Sequence, residues 1–131
     1  MTAKLTADLW VSAYLTRLRL ADIPVYVTAR GDATAGAVLV KVALLNGQAR
    51  AFQRSFDLMA DARVWVTLAE GPEPEVDALL QRQCARDPDL WVLELEDRQG
   101  RTLLDQEGLV RPVSTMIILW VHNLRCHLNR S

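Results

Sequence analysis

The run Val38-Leu39-Val40-Lys41-Val42-Ala43-Leu44 leads almost directly into Asn46-Gly47, and that junction commits the chain to a β-hairpin. β-Branched residues suit a pleated strand, and Asn-Gly tolerates the positive φ of a type I′ turn, so the chain must reverse here. Val38, Val40, Val42 and Leu44 point one way while Leu39, Lys41 and Ala43 point the other, which predicts a strand with one well-buried face. Gln48 to Phe56 returns antiparallel. There Phe52 and Phe56 share a parity with Arg50 and Arg54, a break in alternation that predicts a bulge or an edge position.

The remaining elements follow from local signals on either side of the hairpin. Val11, Tyr14, Leu15 and Leu18 recur at helical spacing after Thr6, an N-cap residue, with Asp8 in the first turn, so a helix is predicted to end near Asp22. Pro24 biases Ile23 away from helix, and Val25-Tyr26-Val27-Thr28-Ala29 is the first strand. Arg63-Val64-Trp65-Val66-Thr67-Leu68 is a fourth strand after a polar turn around Asp57 to Asp61. Gly71-Pro72-Glu73-Pro74-Glu75 then starts a second helix whose buried stripe is Val76, Leu79, Leu80 and Cys84. Asp87-Pro88 ends it, and Leu90 to Glu96 alternates as a fifth strand with Trp91, Leu93 and Leu95 inward, closed by the turn Asp97-Arg98-Gln99-Gly100. The order α-β-β-β-β-α-β predicts an α+β single domain. A four-strand meander and a last strand would form a mainly antiparallel sheet of about five strands, with both helices on one face, followed by an apolar C-terminal extension.

Length and charge narrow the functional classes. The 131 residues suit one domain, and 15 basic against 16 acidic residues leave a net charge of −1, so no global field draws the chain to nucleic acid or an anionic membrane. Two cysteines, Cys84 and Cys126, have no close ligand spacing and no disulfide-framework pattern, which fits a reducing cytoplasm. Residues 1–8 lack an apolar core of signal-peptide length.

Between the first two strands lies Arg30-Gly31-Asp32-Ala33-Thr34-Ala35-Gly36-Ala37. Gly31 is suited to positive φ, Asp32 to an Asx-type turn, and Gly36 to a close backbone approach, with the chain itself as one thing that could approach. This block, together with Asp8-Leu9-Trp10-Val11-Ser12-Ala13-Tyr14-Leu15, Phe52-Gln53-Arg54-Ser55-Phe56-Asp57-Leu58-Met59 and the stretch from Asp87-Pro88-Asp89-Leu90-Trp91 to Gly100-Arg101, resembles the alphaproteobacterial domain of unknown function 1491 family. The resemblance runs from about Leu5 to Leu109. It implies a small intracellular bacterial protein and brings no substrate, cofactor or catalytic residue. The chain accordingly divides into a family-like domain, residues 5–109, and an extension, residues 110–131.

Several residue groups could carry chemistry. Arg30 and Asp32 beside Gly31 could hold an anion through a guanidinium and backbone amides, or simply form a turn, since neither a Gly-rich phosphate fingerprint nor a Walker lysine is present. Asp87, Asp89, Glu94 and Glu96 could hold a divalent cation for a metal-dependent hydrolase, although Glu96 stands where such nucleases would want a lysine. On an ordinary one-sided strand these glutamates would be a solvated face, paired with Lys41, Arg50 and Arg54 across the sheet. Trp10, Trp65 and Trp91 each sit inside an apolar element, which favours burial over base stacking. Both histidines, His122 and His127, lie in the extension, which disfavours a Ser-His or Cys-His hydrolase; with Cys126 they are the only imidazole and thiol zinc ligands near one another, and no Cys-x-x-Cys accompanies them. The apolar run Val113-Ser114-Thr115-Met116-Ile117-Ile118-Leu119-Trp120-Val121 is about half the length of a membrane-spanning helix and could dock on the domain, attach to a membrane surface or join a second copy. The expected function is that of a small non-catalytic interaction or ligand-binding protein of the cytoplasm, with no cofactor, no catalytic residue and no metal. Its partner would be a protein or small ligand rather than nucleic acid, and its surface is expected at Arg30, Gly31, Asp32, Arg54, Asp87 and Asp89, polar residues at turns held by a rigid sheet.

Overall fold

The strand that announces the hairpin is the centre of the molecule. In the computed structural model, which describes residues 6–57 and 62–105, β2 (Val38–Ala43) is buried along its whole length. It pairs antiparallel with β3 (Gln48–Asp57) on one side and parallel with β5 (Trp91–Glu96) on the other. β1 (Val25–Ala29) joins antiparallel to β5, and β4 (Ala62–Pro72) antiparallel to β3, giving the order β1-β5-β2-β3-β4. The expected four-strand meander is therefore corrected: only β2, β3 and β4 meander, because β5 inserts between β1 and β2. Successive antiparallel steps leave β4 running the same way as β5, so their connection must cross the sheet, and α2 (Glu73–Arg86) provides that crossover. The result is an α+β fold with a mixed, mostly antiparallel sheet.

The helices pack on opposite faces of the sheet rather than on one. Trp10, Val11, Tyr14 and Leu18 of α1 (Ala7–Leu20) close over Val38, Val40, Val42, Trp91, Leu93 and Leu95. Val76 and Leu80 of α2 close over Leu39, Ala49, Ala51, Leu90 and Val92 on the reverse face. Both parities of β2 are therefore covered, and full burial of a Val or Leu side chain stabilises by about 1.5–3 kcal/mol. Ala49 and Ala51 present only methyl groups beneath α2. Leu79 and Cys84 of the anticipated stripe are half-buried.

Local deviations have local causes. The hairpin forms, but as a wider turn than type I′: Leu45 and Gly47 take positive φ (62° and 88°), while the Asn46 side-chain oxygen accepts from Gln48 N–H at 3.0 Å. The irregularity anticipated around Phe52 is a bulge. Ala51 pairs with Ala69 and Phe52 with Thr67, so Leu68 of β4 is the extra residue and β3 lies inside the sheet. Thr6 makes no side-chain cap; its hydroxyl donates to Asp8 at 2.6 Å. The first amides of α1 instead donate to the carbonyls of Thr34 (from Ala7) and Ala33 (from Asp8), so the glycine-bracketed loop caps the helix. Residues 110–131, with Val113 to Val121, His122, Cys126 and His127, lie outside the described residues. Among the described residues no helix is long and apolar enough to cross a membrane.

Candidate functional site

Two polar regions stand out on this frame. The first is the corner where the β1–β2 loop meets the turn before β5. Gly31 and Gly36 both press against the backbone of Asp89, leaving no room for a Cβ. Asp32 N–H donates to the Asp89 carbonyl at 3.0 Å, and the Trp91 indole N–H donates to the Asp32 carbonyl at 2.7 Å. The Asp32 carboxylate accepts from Thr34 N–H (3.1 Å) and Ala35 N–H (2.7 Å), and Asp87 accepts from Asp89 N–H (3.0 Å). These are Asx-type turns, so the anticipated turn chemistry of Asp32 is present and the carboxylates brace backbone. Gly31 and Gly36 are not among the glycines with positive φ, which are Gly47, Gly71 and Gly100; the expectation for Gly31 is corrected to one of close approach. Arg30 lies over the Trp91 ring at 5.4 Å.

The structure thus brings Arg30, Gly31, Asp32, Asp87 and Asp89 together, and places Arg54 elsewhere. Arg54 stacks over Trp10 and Trp65, at 5.1 and 5.5 Å from their ring centroids, on the face covered by α1. The four carboxylates considered for a metal do not converge. Asp87 and Asp89 are in the corner, Glu94 binds Lys41, and Glu96 accepts from the Tyr26 hydroxyl at 3.2 Å. Among the described residues no group of His, Cys, Asp or Glu is placed to hold a metal ion.

The second region was not anticipated as a site. Lys41 sits in the middle of β2 with a side chain only 2% exposed, and its ammonium donates to three carboxylates: Asp77 at 2.5 Å, Glu73 at 2.7 Å and Glu94 at 3.1 Å. Glu94 is its register partner on β5, as the cross-sheet pairing with Lys41 predicted. Glu73 and Asp77 come from the first turns of α2, one helical turn apart on one face. Arg50 does not join them; it lies with Val42 on the opposite face and pairs with Glu70 at 3.7 Å. Lys41 is thus a buried charge, not surface chemistry. Burial alone would lower its pKa, but the bonds to Asp77, Glu73 and Glu94 outweigh burial and hold it above the ordinary lysine value of 10.5. The ammonium is permanently charged at neutral pH and is neither a nucleophile nor a base. Three carboxylates around one ammonium leave two negative charges in excess, each carboxylate being 30–45% exposed, and Asp77 and Glu94 line a cavity of about 450 Å³. Asp77, Glu94, Thr28, Gln81, Cys84 and Val92 are among its walls. A lone lysine in an apolar strand and two acids at i and i+4 beside the buried stripe of a helix were the available sequence signals.

A third ionic element anchors the end of β5. Asp97, 8% exposed, accepts from Arg101 through its backbone N–H (2.7 Å) and guanidinium (2.9 Å). The Arg101 hydrogen bond is the main cause that lowers the Asp97 pKa, against burial, which raises it. A folded pKa below the unfolded value contributes stability present above the unfolded value of about 3.9 and lost as pH falls through the folded value. Asp97→Asn is therefore expected to show a shallower decline of Tm between pH 5 and pH 2 than the natural chain. Superimposable profiles would refute the assignment.

Comparison with known proteins agrees with this architecture. A model of the family described as protein of unknown function (DUF1491) matches residues 5–105. The crystal structure of a DUF1491 family protein from Caulobacter crescentus CB15 is 41% identical, covering 76% of this chain and 92% of that one, with a TM-score of 0.68. An NMR structure of a DUF1491 family protein from the same organism gives 40% identity, coverages of 77% and 93%, and a TM-score of 0.67. The solution structure of protein Atu0922 from A. tumefaciens is 29% identical, covering 86% of this chain and 100% of that one, with a TM-score of 0.66. A search of curated proteins gives no match.

Proposed function

The chain belongs to the DUF1491 family of proteins of unknown function, and from that premise we propose that it is a non-catalytic, cytoplasmic ligand-binding protein whose site is the cavity between α2 and the β1–β5 half of the sheet. The observation that carries this reading is a charged lysine held by three carboxylates, two of which, Asp77 and Glu94, line a concave surface. The ligand class follows from the charge. An excess of two carboxylates over one fixed ammonium favours a small molecule bearing an amino or guanidino group, which would donate to the partly exposed carboxylates. Lys41 then preorganises the acids: its three bonds fix rotamers that would otherwise have to be ordered on binding. The free thiol of Cys84 at the same cavity fits a reducing compartment.

The test is calorimetric titration of the protein with 1,4-diaminobutane and, separately, with succinate, a dianion with the same number of backbone carbons. Binding is expected for the diamine and not for the diacid, and Glu94→Gln, which keeps an acceptor for Lys41 but removes one charge, is expected to weaken the diamine about tenfold, as loss of a charge-assisted hydrogen bond does. Equal response to both probes, or an unchanged Kd in the variant, would sink the reading.

A further inference from the structure

On the face of the sheet that α1 covers, the β3–β4 half has no helix of its own among the described residues. Trp10, Val11, Tyr14 and Leu18 close over β2 and β5, and Trp10 reaches only as far as the Trp65 ring on β4, 5.4 Å away between centroids. Beyond that contact, Phe52 of β3 and Trp65 of β4 line a second cavity, of about 390 Å³, whose remaining wall is the chain from Gly100 to Asp105. That stretch is held in place. The Tyr14 hydroxyl donates to the Thr102 carbonyl at 2.7 Å, and Leu104, 4% exposed, is sunk into the core beneath α1. Leu103 between them takes a φ of +57°, a left-handed conformation that a leucine adopts only where its surroundings impose it. The backbone after β5 is thus delivered to the cavity, and Asp105, the last described residue, is part of the wall.

The sequence beyond that point holds an apolar run within reach of this surface. Val113-Ser114-Thr115-Met116-Ile117-Ile118-Leu119-Trp120-Val121 carries no charged residue and begins eight positions after Asp105. An extended chain of that length spans at most about 29 Å. Neighbouring strands lie about 4.8 Å apart, so the whole β3–β4 half is in range. We propose that this run docks, within the same chain, in the cavity walled by Phe52, Trp65, Leu103 and Leu104, and so completes the α1 face of the sheet. The tether favours this occupant over a second copy: a short linker holds the run at an effective concentration on the order of millimolar, far above that of another chain in dilute solution. The cavity is on the face opposite Lys41, so neither assignment depends on the other.

Paramagnetic broadening in the full-length chain tests the docking. Cys84→Ser and Cys126→Ser remove the natural thiols, Thr115→Cys places a nitroxide within the run, and amide signals of 15N-labelled protein are compared before and after the nitroxide is reduced. Amides of Phe52, Trp65 and Leu104 are expected to lose most of their intensity, while those of Val76, Leu80 and Gln81, on the reverse side of the sheet, keep theirs. Adding Ile117→Asp and Leu119→Asp, which leaves every residue of the cavity unchanged, is expected to return the lost signals. Broadening that is absent or uniform over the domain overturns the proposal, as does broadening that survives Ile117→Asp and Leu119→Asp. It is also overturned if spin-labelled chains of natural isotope content, mixed with 15N chains that carry no nitroxide, broaden the same signals as strongly, since the occupant would then be a second copy.

Discussion

Lys41→Met will unfold at a markedly lower urea concentration than the natural chain, a loss of about 3 kcal/mol, the scale on which removing one partner of a buried ionic cluster destabilises a protein. Methionine nearly matches the lysine stem in volume, so little of this loss comes from packing. What remains is three carboxylates, Glu73, Asp77 and Glu94, that had converged on one ammonium within 3.1 Å. Each is 30–45% exposed, so water relieves part of their repulsion and keeps the cost towards the lower end of the range for buried ions. The pH dependence identifies the cause. Like charges crowded together without their cation repel only while ionised, so the deficit of the variant is expected to shrink in acid. A packing defect would be independent of pH. Stability equal to that of the natural chain at pH 7, or a deficit identical at pH 4 and pH 7, would show that the cluster does not act electrostatically. Adding Asp77→Asn and Glu94→Gln to Lys41→Met should restore part of the loss, since removing a whole ionic cluster costs less than orphaning its members.

The place of Lys41 in the sequence shows how far local reading reaches. Strand and helix identities were legible because their signals are local: alternation in β2 and β5, helical spacing in α1, Asp87-Pro88 at the end of α2. What covers each face was not. Lys41 shared a parity with Leu39 and Ala43, a set with one polar member in three, and a solvated face would have carried more. Whether that face meets water is decided by α2, more than thirty residues further on. The insertion of β5 between β1 and β2 likewise rests on pairings such as Val40 with Leu93 and Val27 with Leu93, which no short window contains. Glu73 was legible only as part of a helix start and Asp77 was not singled out, because their partner lies on another element. The corner around Gly31 was legible as a turn and as a close approach, but not in what it approached: Asp89 is nearly sixty residues away.

That corner is where a single methyl group should do most harm. Gly31→Ala is expected to lower stability by about 3 kcal/mol or more, at or beyond the upper end of overpacking costs, because the obstacle is backbone and cannot rotate aside. The new Cβ would lie 2.7 Å from the carbonyl carbons of Asp89 and Leu90 and closer still to the Asp89 oxygen. Relief would require separating the two loops, which would break the 3.0 Å bond from Asp32 N–H to the Asp89 carbonyl and disturb the indole bond from Trp91 to Asp32. The Ala33 and Thr34 carbonyls that cap α1 lie in the same loop, so the damage reaches the helix as well as the sheet. Gly36→Ala should behave alike, its Cβ falling 2.8 Å from the Asp32 oxygen. Gly47→Ala is the control. It has φ of +88° with nothing within 4 Å of a Cβ, so it meets only the left-handed backbone penalty of about 1 kcal/mol. Chemical denaturation of the three variants should therefore rank Gly31 and Gly36 well below Gly47. If Gly31→Ala were no worse than Gly47→Ala, the loop would not be pressed against Asp89, and the corner would be free to serve as something other than a brace for the end of the sheet.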